Sequence, residues 1–97
     1  MSIDEYAEWA ATIAKLTTNP GNDKLSYLGL GLSAEAGEVA DLIKKLLRDG
    51  RLDRPALIEE LGDVIYYWSC LCVAAGQHPS ELLARSRTKI TTRVTAA

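Results

Sequence analysis

Four carboxylates carry the chemistry in this sequence. Glu35 and Glu38 lie three apart in Leu32-Ser33-Ala34-Glu35-Ala36-Gly37-Glu38-Val39-Ala40-Asp41, and Glu60 and Asp63 lie three apart in Glu59-Glu60-Leu61-Gly62-Asp63-Val64. Residues three apart on a helix share one surface, and both acid pairs sit in mostly apolar neighbourhoods. If the two segments pack through those faces, four negative charges meet in a small, partly dry volume. Like charges a few ångströms apart repel, and burying each costs several kcal/mol. The acids must then protonate, meet Lys or Arg, or hold a cation. An all-oxygen donor set with no His or Cys suits Mg²⁺ or Mn²⁺ rather than zinc or copper. The competing reading turns the acids outward, paired with Lys44, Lys45 or Arg48. Gly37 and Gly62 each lie inside an acid pair, where glycine costs about 1 kcal/mol relative to alanine. A close helix–helix approach is the expected reason for both.

The elements that must position these acids read as four helices separated by turn residues. Turn signals cluster at Thr17-Thr18-Asn19-Pro20-Gly21-Asn22-Asp23, at Arg48-Asp49-Gly50-Arg51-Leu52-Asp53-Arg54-Pro55 and at Gly76-Gln77-His78-Pro79-Ser80. Gly50 reads as a helix stop and Pro55 as a first-turn residue of the next helix. The spacing predicts helices over roughly 3–16, 25–47, 56–75 and 80–92. Their stripes are Tyr6, Trp9, Ile13 and Leu16 in the first and Leu28, Leu32, Val39, Leu42 and Leu46 in the second. Leu57, Leu61, Val64, Trp68 and Leu71 mark the third. That helix is apolar nearly all round, as expected of one buried on several sides. The β-branched residues of Ile90–Thr95 read as a frayed tail. The expected class is all-α, a four-helix bundle of antiparallel helices with short connections, in one domain over 1–97.

Composition narrows the function. The 97 residues carry 11 Lys+Arg against 13 Asp+Glu, a net charge of −2, which argues against coating nucleic acid by bulk charge. No apolar run approaches the roughly 18 residues of a membrane span. The N-terminus lacks the basic start of a signal peptide, so a cytoplasmic location is expected. Cys70 and Cys72 read as small core or interface residues in a reducing compartment rather than a disulfide. A chain this short has a marginal core, which an oligomer would remedy.

The words Glu-Ala-Gly-Glu-Val and Glu-Leu-Gly-Asp-Val resemble the MazG-type, all-α nucleoside triphosphate pyrophosphohydrolases. Their Glu-x-x-Glu and Glu-x-x-Asp pattern is matched at Glu35, Glu38, Glu60 and Asp63, and the similarity covers roughly residues 5–93. The resemblance implies hydrolysis of a (deoxy)nucleoside triphosphate to monophosphate and pyrophosphate. It also implies Mg²⁺ held by the four acids, a tight homodimer or homotetramer, and a role in clearing unwanted nucleotides. The family's closing helix carries Asn-x-x-Lys-Leu-x-x-Arg. Lys89 and Arg93 match it, whereas Ser86 stands where asparagine is usual. In relatives the first helix covers the base, which makes Trp9 the first choice among the aromatic planes Tyr6, Trp9, Tyr67 and Trp68.

The residues fit that chemistry. A divalent ion neutralises the acids and lowers the pKa of a nucleophilic water. Glu35 or Glu38 is the expected base. Residues 79–97 sum to +3 and residues 1–78 to −5, so the basic end complements phosphates; Lys44 and Lys45 are further candidates. Asp41 is expected to pair with Lys45. Two other classes compete. A di-iron bundle uses Glu-x-x-His, but the single histidine, His78, follows no glutamate at that spacing. A non-catalytic oligomerisation or partner-binding module would leave the acids without metal. A closer variant keeps the site and takes another pyrophosphate-bearing nucleotide, such as phosphoribosyl-ATP.

Overall fold

Four α-helices follow one another in the computed structural model, which describes residues 1–19 and 23–96. They are α1 (Ile3–Thr17), α2 (Lys24–Asp49), α3 (Arg54–Ala74) and α4 (Pro79–Thr95). Local sequence sets each boundary. At α1, the Ser2 hydroxyl accepts from the Glu5 N–H while the Glu5 carboxylate accepts from the Ser2 N–H, a reciprocal cap for two orphan donors. Asp23 caps α2 through the Leu25 N–H, and Asp53 caps α3 through the Ala56 N–H. Gly50 ends α2 in the left-handed region at φ 76°, where an L side chain would be strained. Pro20, Gly21 and Asn22 of the first turn signal lie outside the described residues.

The α2–α3 hairpin is the platform. Glu35 on α2 meets Glu60 on α3, and Gly31, one turn earlier, meets Tyr67. Partner numbers rise on α3 as they fall on α2, so the two helices run antiparallel. α3 is the hub, packing against α2 most extensively, then α1, and at its end α4. That is why its sequence is apolar nearly all round. The expected α2 stripe faces inward, with Leu28 buried and Leu32, Val39, Leu42 and Leu46 half-buried.

Three expectations need correction. On α1 the buried face is Ala7, Ala10 and Ala14, whereas Trp9 and Leu16 are exposed. Alanines let α1 come close to α3, and the large side chains were the misleading signal. Gly37 and Gly62 do not mark a close approach, because a methyl group on either would meet nothing within 4 Å. The close approach falls at Gly31, whose Cα lies under the Tyr67 ring. Finally, residues 90–95 continue α4 as regular helix to Thr95; β-branched residues lower helix propensity only slightly.

The core is thin. Ala10, Ala14, Leu28 and Cys70 form its buried centre, packed by Tyr6, Tyr66, Tyr67, Leu71 and Ala74. Cys70 and Cys72 are buried free thiols. The chain exposes 6972 Å², where about 5,500 Å² is usual for a compact protein of this mass. Its radius of gyration of 15.8 Å exceeds the roughly 12–13 Å expected. Much of the excess comes from α4, where every residue from 83 to 96 is exposed. Among the described residues no helix is long and apolar enough to cross a membrane.

Candidate metal centre

The hairpin brings three of the four acids together. One carboxylate oxygen from each of Glu35, Glu60 and Asp63 lies within 4.8 Å of the others. Glu35 and Glu60 are half-buried and Asp63 is exposed, so the group is open to solvent on the Asp63 side. The crowding shows in Glu35, whose carboxyl is pushed up to about 7. A hydrogen bond shared with Glu60 is the main cause, followed by burial and the negative charges of Asp63, Glu60 and Glu38. A carboxyl that retains its proton near neutrality because other carboxylates face it is the signature of charge lacking a counter-ion.

Glu38 stands apart from this group. It is exposed on α2, close enough for its charge to act on Glu35 and, on its other side, on Lys45. Asp41 takes both lysines, Lys44 at 3.2 Å and Lys45 at 2.9 Å, and those two contacts hold its carboxyl below the ordinary value. Lys44 is therefore engaged beside the acids rather than among them. Among the described residues no Lys or Arg pairs with Glu35, Glu60 or Asp63.

Aromatic rings line one side. Trp9 is 52% exposed; its ring lies 5.5 Å from Tyr6 and 6.5 Å from Tyr66, and Tyr66 meets Tyr67 edge-on at 5.1 Å. Burial raises the phenols of Tyr67 and Tyr6 first, and the charges of Glu35 and Asp63 on Tyr67 and of Asp63 on Tyr6 add to it. Both tyrosines thus border the acids, a role beyond that of an aromatic plane. For Tyr67 the signal was present: it follows Asp63 by four residues, hence on the same face. Trp68 is half-buried on α3.

Lys89 and Arg93 stand elsewhere. Both are exposed on α4, and among the described residues α4 does not approach α2. Within one chain these cations and Glu35 ride on helices that never meet.

The donor chemistry fits a hard divalent ion: three carboxylates from two helices, oxygens close enough to share one ion and, among the described residues, no soft ligand in the group and no cation paired with it.

The "Gene 37 protein" of Mycobacterium phage L5 is 38% identical over 102 residues, covering 96% of this chain and 89% of its own. No solved structure matches. A family model matches residues 23–95, from the α2 cap through α4, and leaves α1 outside; it describes the MazG nucleotide pyrophosphohydrolase domain.

Proposed function

Since the chain belongs to the MazG nucleotide pyrophosphohydrolase family, we propose that it hydrolyses (deoxy)nucleoside triphosphates to nucleoside monophosphate and pyrophosphate with Mg²⁺, Mn²⁺ serving as a substitute. The observation that carries this reading is the convergence of Glu35, Glu60 and Asp63 without a cationic partner. These three would hold the ion, with Glu38 completing the set from the neighbouring turn. The ion, when bound, neutralises the acids and polarises the phosphoryl oxygens.

The chain's own groups do the rest. Water attacks at the α-phosphorus, the α–β anhydride bond breaks, and pyrophosphate leaves. Glu38, or Glu35 itself, takes the proton that water gives up. Glu38 is suited because it stands outside the three-carboxylate group yet one turn from Glu35. Trp9, half-exposed between Tyr6 and Tyr66 in the aromatic row, offers a plane for the base. Lys89 and Arg93 take the outgoing phosphates, and Lys44 is a further candidate.

A second copy belongs to this reading. The large apolar side chains left exposed, among them Leu30, Leu47, Ile58 and Leu61, fit a homodimer or homotetramer. The excess of exposed surface is also on the scale of the roughly 800 Å² per partner that a stable interface covers. An oligomer supplies a second α4 to an acid cluster that its own chain's α4 does not reach. Clearing surplus or non-standard nucleotides is the task such an activity serves.

The test is a panel of nucleotides incubated with Mg²⁺, Mn²⁺ or chelator, with pyrophosphate and single phosphate read separately. Metal-dependent pyrophosphate release is the expected result. Release of single phosphate alone, or of nothing across the panel, would overturn it. The latter outcome favours a non-catalytic oligomerisation module.

A further inference from the structure

The start of α4 is tied to the start of α1 by one carboxylate. The Ser80 N–H donates to Asp4 Oδ1 at 2.9 Å and the Ser80 hydroxyl donates to Asp4 Oδ2 at 2.6 Å, across 76 residues of sequence. The α4 end has no local side-chain cap. His78 is the N-cap of α4 but makes no side-chain cap bond. Pro79 has no N–H, so Ser80 carries the first backbone donor of the helix. On α1 the Ser2–Glu5 pair already serves the N-terminal donors, which leaves both Asp4 oxygens for Ser80. The carboxylate also faces the positive ends of two helix dipoles at once.

Within one chain little else holds α4. Pro79 is buried and Leu82 half-buried, and everything beyond is exposed. The helix is a lever fixed at its root. Arg93 lies 13 residues beyond Ser80, about 20 Å along the axis. A tilt of about 10° at the root therefore moves it by roughly 3 Å, enough to lose a phosphate contact.

We propose that Asp4 is a positioning residue: through Ser80 it fixes the direction in which α4 leaves the bundle, and with it the place of Lys89 and Arg93. The claim rests on the proposed function for its kinetic consequence and on the fold alone for its structural one. Cations that grip the phosphates equally before and during the reaction affect binding rather than turnover. Loosening the root thus raises KM and spares kcat.

The experiment measures amide hydrogen exchange along α4, together with KM and kcat for the best Mg²⁺–nucleotide substrate, in Asp4→Ala, Ser80→Ala and Ser80→Thr. Asp4→Ala and Ser80→Ala speed exchange from Ser80 onward and raise KM by roughly 10-fold with kcat within about 2-fold. Ser80→Thr keeps the hydroxyl and restores both. Ser80→Ala keeps the backbone donor and the acid at α1, so it reports even if Asp4→Ala does not fold. Wild-type exchange in both alanine variants overturns the proposal, and so does faster exchange with an unmoved KM. If the wild type hydrolyses no nucleotide, the proposed function falls while the exchange measurement still decides whether Asp4 holds α4.

Discussion

Glu35 and Glu60 face each other across the α2–α3 interface closely enough for one carboxyl to donate a hydrogen bond to the other, and Glu35 holds its proton up to about pH 7 as a result. The hairpin thus carries a like-charge contact at the place where a well-packed core would ordinarily continue.

That contact gives the metal-free protein a characteristic pH dependence. A carboxyl whose pKa is raised by folding binds its proton more tightly folded than unfolded. The stability Glu35 contributes is fully present below its ordinary value of 4.5 and is lost as pH rises through about 7. Denaturant melts in chelator should show stability falling over that window, and Glu35→Gln should flatten the fall. A wild type equally stable at about pH 5 and about pH 8 would sink this expectation.

Activity should respond differently from stability. Glu35→Gln, Glu38→Gln, Glu60→Gln and Asp63→Asn are each expected to lower turnover by orders of magnitude while leaving the helical circular dichroism intact. Without metal, removal of repulsion leaves each variant at least as stable as the wild type. Near-normal turnover in the purified variants, or clear destabilisation of all four in chelator, contradicts the assignment.

Gly31 and Gly37 offer a contrast on one helix. A methyl group at Gly31 runs into the Tyr67 ring, whereas one at Gly37 meets nothing. Gly31→Ala should cost about 1–3 kcal/mol through overpacking and disturb activity, since Tyr67 borders Glu35. Gly37→Ala should be neutral or stabilising by up to about 1 kcal/mol. Paired thermal melts decide, and the reverse order would show that the close approach has been misplaced.

Light scattering at micromolar concentration should return at least twice the 10.6 kDa of one chain. A monomer counts against the shared-interface reading.

Much of this was legible in the sequence, and the failures have physical reasons. Helix caps and stops at Gly50, Asp53 and Pro55 act locally and read directly, and the α2 stripe follows from a single dominant packing face. The acid pairs were legible because two apolar segments each carried charges at helical spacing. The α1 face is hidden from the apolar period because a close approach to α3 favours alanine, while the largest side chains, Trp9 and Leu16, lie outside it. Spacing gives Glu38 a surface shared with Glu35, but not the angle at which two helices cross, which is why the structure gathers Glu35, Glu60 and Asp63 and leaves Glu38 one turn along. The tie from Asp4 to Ser80 spans nearly the whole chain, and no local pattern announces it.

The centre of the protein is filled by two alanines, a leucine and a cysteine. If a second copy covers the exposed apolar side chains, assembly adds to the stability that so slight a filling supplies. By mass action the melting temperature should climb as the solution is made more concentrated. Dilution alone, with no change of solvent, would then loosen the hairpin that gathers the three carboxylates.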